Sequence, residues 1–209
     1  MPSPETVLLF LGAALALNLT PGPDMLYVAA RSVSGGRAAG VLSALGVSVG
    51  LLFHVAAVAF GLAALLAAVP VAYDLIRIVG AIYLLALGLD LLLQPRDDNN
   101  PPSLPPSRLR QIFAQGVVTN VLNPKVALFF LAFLPQFVDI TAGPPIPQVV
   151  FLGLLFNVQG TLVNLGIALL ASRTTAWLRG SEQRIAVLRR LTGAVFVALG
   201  ARLAISTNR

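Results

Sequence analysis

Six stretches of this sequence run for about 20 residues or more with few charges, the length of helix that crosses a hydrocarbon core about 30 Å thick. They extend from Pro4 to Arg31, Val41 to Val69, Val71 to Leu93, Arg110 to Pro135, Pro147 to Ala171 and Ile185 to Ser206. A chain in lipid must satisfy its backbone polar groups internally, which leaves helices or a closed barrel. The period-two alternation of barrel strands is absent, so an all-α integral membrane protein with six transmembrane helices is expected. Composition agrees: 57% of the 209 residues are hydrophobic and 11% charged, against roughly 25% charged in a soluble domain. With no cysteine, a disulfide framework, a thiolate metal site and a cysteine nucleophile are excluded.

A polar connector, residues 94–110, carries Asp97-Asp98-Asn99-Asn100 followed by Pro101, Pro102, Pro105 and Pro106, and divides the chain into 1–93 and 111–209. Each half holds three spans, and the first span of each is broken at proline: Asn18-Leu19-Thr20-Pro21-Gly22-Pro23 in one, Asn120-Val121-Leu122-Asn123-Pro124-Lys125 in the other. Three is an odd number, so the second half enters the membrane from the opposite side. That is the pattern of an inverted-topology repeat with helices 1 and 4 broken.

The net charge of +6 would suggest nucleic acid in a soluble protein, but here its placement matters. Of the basic residues, Arg31, Arg37, Arg96, Arg108, Arg110, Arg173, Arg179, Arg184, Arg189 and Arg190 fall in the connectors after spans one, three and five. The positive-inside rule puts these connectors in the cytoplasm and both termini outside. Ala14-Leu15-Ala16 resembles a signal-peptidase site, but no basic segment precedes it, so this stretch is read as the first span.

Ionisable groups within spans are costly, about 2.5 to 3.5 kcal/mol each at the centre on insertion scales, and mark functional sites. Asp24 follows the first break, either as a cap of the restarting helix or as the receiver of a substrate amine. Lys125 follows the second, either neutralised by a buried partner such as Asp24 or facing a cavity that receives a carboxylate. Pro124 removes the donor that would bond the Asn120 carbonyl, so that oxygen and the side chains of Asn120 and Asn123 gather there. His54, the lone histidine, is read as donating to a neighbouring helix, with proton relay as the alternative. Asn157, Thr161 and Asn164 share one face of span five, near Gln159, for hydrogen bonding between helices or for lining a polar path. Asp74 and Arg77 are expected to pair, and Asp90 to reach the interface. Gly36 and Gly40, and Gly46 and Gly50, have the G-x-x-x-G spacing of close helix packing. No phosphate loop and no metal-ligand cluster occurs, so neither cofactor nor metal is expected.

Opposite charges at two broken helices suit a secondary transporter with a midplane site for a zwitterion. A membrane-embedded enzyme would need a nucleophile elbow or a metal cluster, and a scaffold or channel would not need a lysine and two asparagines around a mid-span proline. Asn18, Asn120, Asn123 and Asn157 join Asp24 and Lys125 as expected substrate contacts, with selectivity depending on which of Phe10, Tyr27, Phe129, Asn157 and Gln159 face the cavity.

The segments Asn18–Asp24, Gly36-Arg37-Ala38-Ala39-Gly40, Asn120–Lys125 and Pro135-Gln136-Phe137 resemble the signatures of the lysine exporter / homoserine-threonine exporter family (LysE/RhtB). The likeness covers essentially the whole chain. It implies a bacterial inner-membrane exporter of amino acids or close derivatives, driven by the proton gradient, with Asp24 the first and His54 the second candidate proton carrier. Partners are then the amino acid, protons and the bilayer, with no nucleic acid; homo-oligomerisation is left open.

Overall fold

A computed structural model describes residues 1–68 and 108–179, with scattered helical positions between 78 and 93 and between 187 and 201. Asp74, Arg77, Asp90, most of the proline-rich connector, and most of spans three and six lie outside the described residues. The described residues are helical, with no strand among them. Large apolar side chains cover the outside: Leu8 is 69% exposed, Phe60 68% and Leu122 73%. A surface this apolar is suited to lipid rather than water.

Helix α1 is Pro4–Leu19, started by Ser3, whose Oγ accepts from the Thr6 amide at 3.2 Å. It stops at Thr20, whose extended backbone (φ −71°, ψ 124°) is the conformation the residue before a proline prefers. Helix α2 runs over Pro23–Ala68, with one non-helical residue inside it, Gly36 at φ 76° and ψ −176°. That conformation is open essentially only to glycine, and it folds the chain back on itself. A Cβ at Gly40 would meet the side chains of Ser32 and Ala168, although in a straight helix residues 32 and 40 would stand about 12 Å apart. The limbs 23–35 and 37–68 therefore pack side by side. The expected division between spans one and two falls within this turn, and Gly36 serves the turn rather than helix packing.

Helix α3 is Leu109–Val121 and α4 is Pro124–Leu128. A π-helical turn over Phe129–Phe133 and a 3-10 turn over Leu134–Phe137 follow. Helix α5 spans Pro145–Arg179. The segments Leu109–Val121 and Pro124–Phe137 meet at 44°, the expected break. Among the described residues, Pro23–Gly61 and Pro145–Leu170 are long and apolar enough to cross a membrane, and the bent pair makes a third if counted as one span.

The second limb of α2 lies flat on α3, because glycines meet there. A Cβ on Gly46 would strike the Phe113 carbonyl and come within 3.2 Å of the Gly116 Cα; one on Gly50 would stand 2.6 Å from the Val117 oxygen. The Gly46/Gly50 spacing thus has the packing role expected of it. An aromatic core of Phe10, Phe129, Phe130, Phe133 and Phe156 joins α1, the π-helical turn and α5, with adjacent ring centroids such as Phe129 and Phe133 at 4.7 Å. A smaller cluster of Val28, Ala44, Val47, Ile167 and Ala168 ties α2 to α5. Buried Gln148 anchors the loop before α5, accepting from the Asp139 amide and donating to the Asp139 and Gly143 carbonyls. The N-terminal amine donates to Ala142 O in the same loop, so the N-terminus and this loop share one face.

Candidate functional site

Both breaks are built the same way. Each restarting helix opens on a proline, whose missing N–H costs nothing at that position, and places a charged residue next: Pro23-Asp24 in α2 and Pro124-Lys125 in α4. Asn123 caps α4 by accepting from the Lys125 amide at 3.0 Å. The side chains then cross over. Lys125 Nζ donates to Leu17 O at 3.2 Å and Thr20 O at 2.9 Å. The Leu17 carbonyl is the one that Pro21 deprives of its helical donor. Asp24 Oδ2 accepts in return from Asn120 Nδ2 and Asn123 Nδ2, both at 2.8 Å. Gly22 leaves room for this exchange, since a Cβ there would stand 2.8 Å from Lys125 Nζ.

The carboxylate of Asp24 is therefore spent on the opposite break rather than on capping its own helix. Among the described residues Asp24 and Lys125 form no ion pair: each charge is solvated by neutral groups of the other half. The Asn120 carbonyl freed by Pro124 meets His54 Nε2 at 3.0 Å. A carbonyl only accepts, so Nε2 carries the proton, which is the neighbouring-helix bond expected of His54. Two acceptors are left over. Asp24 Oδ1 and Asn120 Oδ1 are buried with no hydrogen-bond partner among the described residues.

These groups wall a cavity of about 30 Å³, counted as space for the centres of water molecules, enough for about two of them. Of the residues expected to contact substrate, Asn18, Asp24, Asn120, Lys125 and Asn157 line it, and Asn123 stands behind Asp24. On α5, Asn157 Oδ1 accepts from Ser48 Oγ at 3.0 Å and Thr161 Oγ1 at 3.3 Å. Asn18 Nδ2 donates to Gln159 Oε1, and Gln159 Nε2 to Leu11 O. Of the five residues expected to govern selectivity, only Asn157 lines the cavity. Phe10 and Phe129 are buried in the aromatic core, and Gln159 bridges α5 to α1. Tyr27 donates to Ile112 O at 2.7 Å beside buried Arg31, whose Nη2 donates to Gln115 Oε1 at 2.6 Å. Leu17, Met25, Ser48, Leu51, Val126 and Phe156 line the cavity instead. Their sequence context, apolar or small residues in apolar helices, matches that of the core.

Residues 15–207, a range that takes in both breaks, match the family model described as "LysE type translocator". The chain belongs to the LysE type translocator family. It is thus a translocator and not an enzyme, as expected from the missing catalytic motifs. The family resemblance carried by the proline motifs is borne out over nearly the whole chain. Among curated relatives, a leucine efflux protein of Klebsiella pneumoniae is 32% identical, with the alignment covering 94% of this chain and 93% of that protein. Homoserine/homoserine lactone efflux proteins of Salmonella typhimurium and Salmonella typhi are each 31% identical, over 93% of this chain and 94% of theirs. No solved structure gives a significant match.

Proposed function

We propose that this translocator exports small amino acids or close derivatives across the bacterial inner membrane by alternating access, coupled to protons, around a site between its two helix breaks. The observation that carries the reading is the crossed arrangement of charge. Asp24 and Lys125 occupy the same position in their respective breaks, wall one cavity, and are held by neutral groups of the opposite half. A zwitterion complements such a pair. Its ammonium donates to the unpartnered Asp24 Oδ1 and Asn120 Oδ1, and its carboxylate draws Lys125 Nζ away from the Leu17 and Thr20 carbonyls. Exchange of those bonds loosens one break from the other, and that gives substrate a means to bias the halves between two arrangements. A cavity with room for about two waters corresponds to a closed form whose walls separate to admit substrate.

The two halves act as inverted three-helix repeats, six spans in all, with cytoplasmic basic connectors and both termini outside. Asp24 carries the coupling proton, with His54 as the second candidate. One proton moving inward per substrate at 100 mV supplies about 2.3 kcal/mol, which sustains a gradient of about fortyfold. Leucine and homoserine, the cargoes in the relatives' names, head the panel to test. In proteoliposomes the chain is expected to move at least one of these when a proton gradient is imposed, a protonophore to stop it, and Lys125→Ala to abolish it. Normal export by a correctly inserted Lys125→Ala protein would remove the carboxylate assignment, and export indifferent to the protonophore would remove the coupling.

A further inference from the structure

A polar seam joins the first limb of α2, residues 23–35, to α3. Asp24, Tyr27 and Arg31 stand at i, i+3 and i+7, which aligns them on one face of the limb. Asp24 Oδ2 accepts from Asn120 Nδ2, Tyr27 Oη donates to Ile112 O at 2.7 Å, and Arg31 Nη2 donates to Gln115 Oε1 at 2.6 Å. Asp24 meets Asn120 whereas Arg31 meets Gln115, so the limb and α3 run antiparallel. The seam therefore leads from the cavity toward the end of the molecule that carries the Gly36 turn and the start of α3, with Arg37 and Arg108. Asp24 and Asn120 line the cavity; Tyr27, Arg31 and Gln115 lie beyond its wall.

The two ends of the cavity are closed by different chemistry. Toward the loop that holds the N-terminus stands the aromatic core, with Phe10 preceding Leu17 on α1 and Leu152 preceding Asn157 on α5. Parting those rings would bring a large apolar area into water. Toward the Gly36 turn the seam is polar. Its hydrogen bonds can be exchanged for bonds to water at small net cost, and the guanidinium of Arg31, 3% exposed, regains its hydration when the seam opens. The limb is also the piece free to part from α3. Gly46 and Gly50 press the second limb of α2 onto the α3 backbone, so those two helices move as one body. The first limb continues into that body through Gly36, around which a Cβ would find nothing within 4 Å.

We infer that Tyr27, Arg31 and Gln115 form the cytoplasmic gate of the cavity, with Gly36 as its pivot. The inference rests on the proposed alternating access and orientation, and locates one of the two gates. Asp24 stands on the same uninterrupted limb, about 10 Å from Arg31 along its axis, so a ligand that engages Asp24 acts on the gate through one helix. The chain has no cysteine, so Asn164→Cys, at the cavity wall, supplies a single thiol to read the gate. Its labelling by a membrane-impermeant maleimide is followed in inside-out vesicles, which expose the cytoplasmic face, and in spheroplasts, which expose the other. Adding Tyr27→Phe is expected to raise the rate in inside-out vesicles about fivefold, the factor one hydrogen bond supports, and adding Gln115→Leu to raise it at least as much. The rate in spheroplasts is expected not to rise. Unchanged rates in inside-out vesicles would overturn the gate, and so would a rise from both faces, which marks a loosened fold. Tyr27→Phe removes only a hydroxyl, and it decides the matter alone if Gln115→Leu fails to reach the membrane. Rapid labelling of Asn164→Cys from both faces without either second substitution would instead overturn alternating access itself.

Discussion

Replacing Asp24 by asparagine separates the role of its charge from its role in the fold. In Asp24→Asn the side chain keeps one carbonyl oxygen where Asp24 Oδ2 accepts from Asn120 and Asn123, each at 2.8 Å. The amide replaces Oδ1, which has no hydrogen-bond partner among the described residues. Two charge-assisted bonds become neutral ones, a loss of about 1 kcal/mol each, and the desolvation of a buried carboxylate is relieved in compensation. The fold is therefore expected to change in stability by no more than about 2 kcal/mol. Substrate binding loses far more. An ammonium about 4 Å from a carboxylate at an effective dielectric near 20 gains about 4 kcal/mol, close to a thousandfold in affinity. The assay pairs thermal unfolding in detergent, where Asp24→Asn should behave nearly as the parent, with counterflow in proteoliposomes, where it should be inactive. Counterflow within about threefold of the parent, a loss of less than about 1 kcal/mol, would refute the ammonium contact, and export by Asp24→Asn still driven by an imposed proton gradient would refute the assignment of Asp24 as proton carrier.

Gly46→Val should disrupt the protein, because its Cβ would strike the Phe113 carbonyl and press on Gly116; Gly61→Ala, with nothing within 4 Å, is the tolerated comparison, and purification yield checks the pair. Gly36→Ala should cost about 1 to 3 kcal/mol through backbone conformation alone, since φ is +76° and open space surrounds the position, read as a lower unfolding temperature. His54→Phe should remove one of two hydrogen bonds on the Asn120 carbonyl, which keeps the Asn123 amide at 2.9 Å, at about 0.5 to 1.5 kcal/mol, whereas His54→Gln can still donate and should keep proton-driven export. Loss of coupling in the glutamine variant would transfer the proton role to His54.

What proline chemistry decides locally was legible in the sequence. Pro21, Pro23 and Pro124 remove donors at known positions, so both breaks and the residues around them follow from the order of residues alone. The crossing does not, because it joins residues about a hundred apart: Lys125 to Leu17 and Thr20, Asp24 to Asn120 and Asn123. The turn at Gly36 was hidden by its G-x-x-x-G spacing to Gly40, which reads the same whether glycine serves packing or a positive φ. The residues lining the cavity were the least legible. In a chain apolar inside and out, Phe129 and Phe156 share the aromatic core and the same local surroundings in sequence, and only the packing of helices brings Phe156 to the cavity as well. Arg31, counted among the connector charges, is buried against Gln115, because the helix restarted by Pro23 runs on to Gly36.

Whether a zwitterion is held between Asp24 and Lys125 is decided by equilibrium binding to the purified protein in nanodiscs. The ligands are an exported amino acid, its decarboxylated amine and its deaminated acid, each measured against the parent protein and Lys125→Met. The parent is expected to bind the amino acid well above either analogue, and Lys125→Met to bind the amino acid no better than it binds the amine. Undiminished preference for the amino acid over the amine in Lys125→Met would contradict a carboxylate held by Lys125.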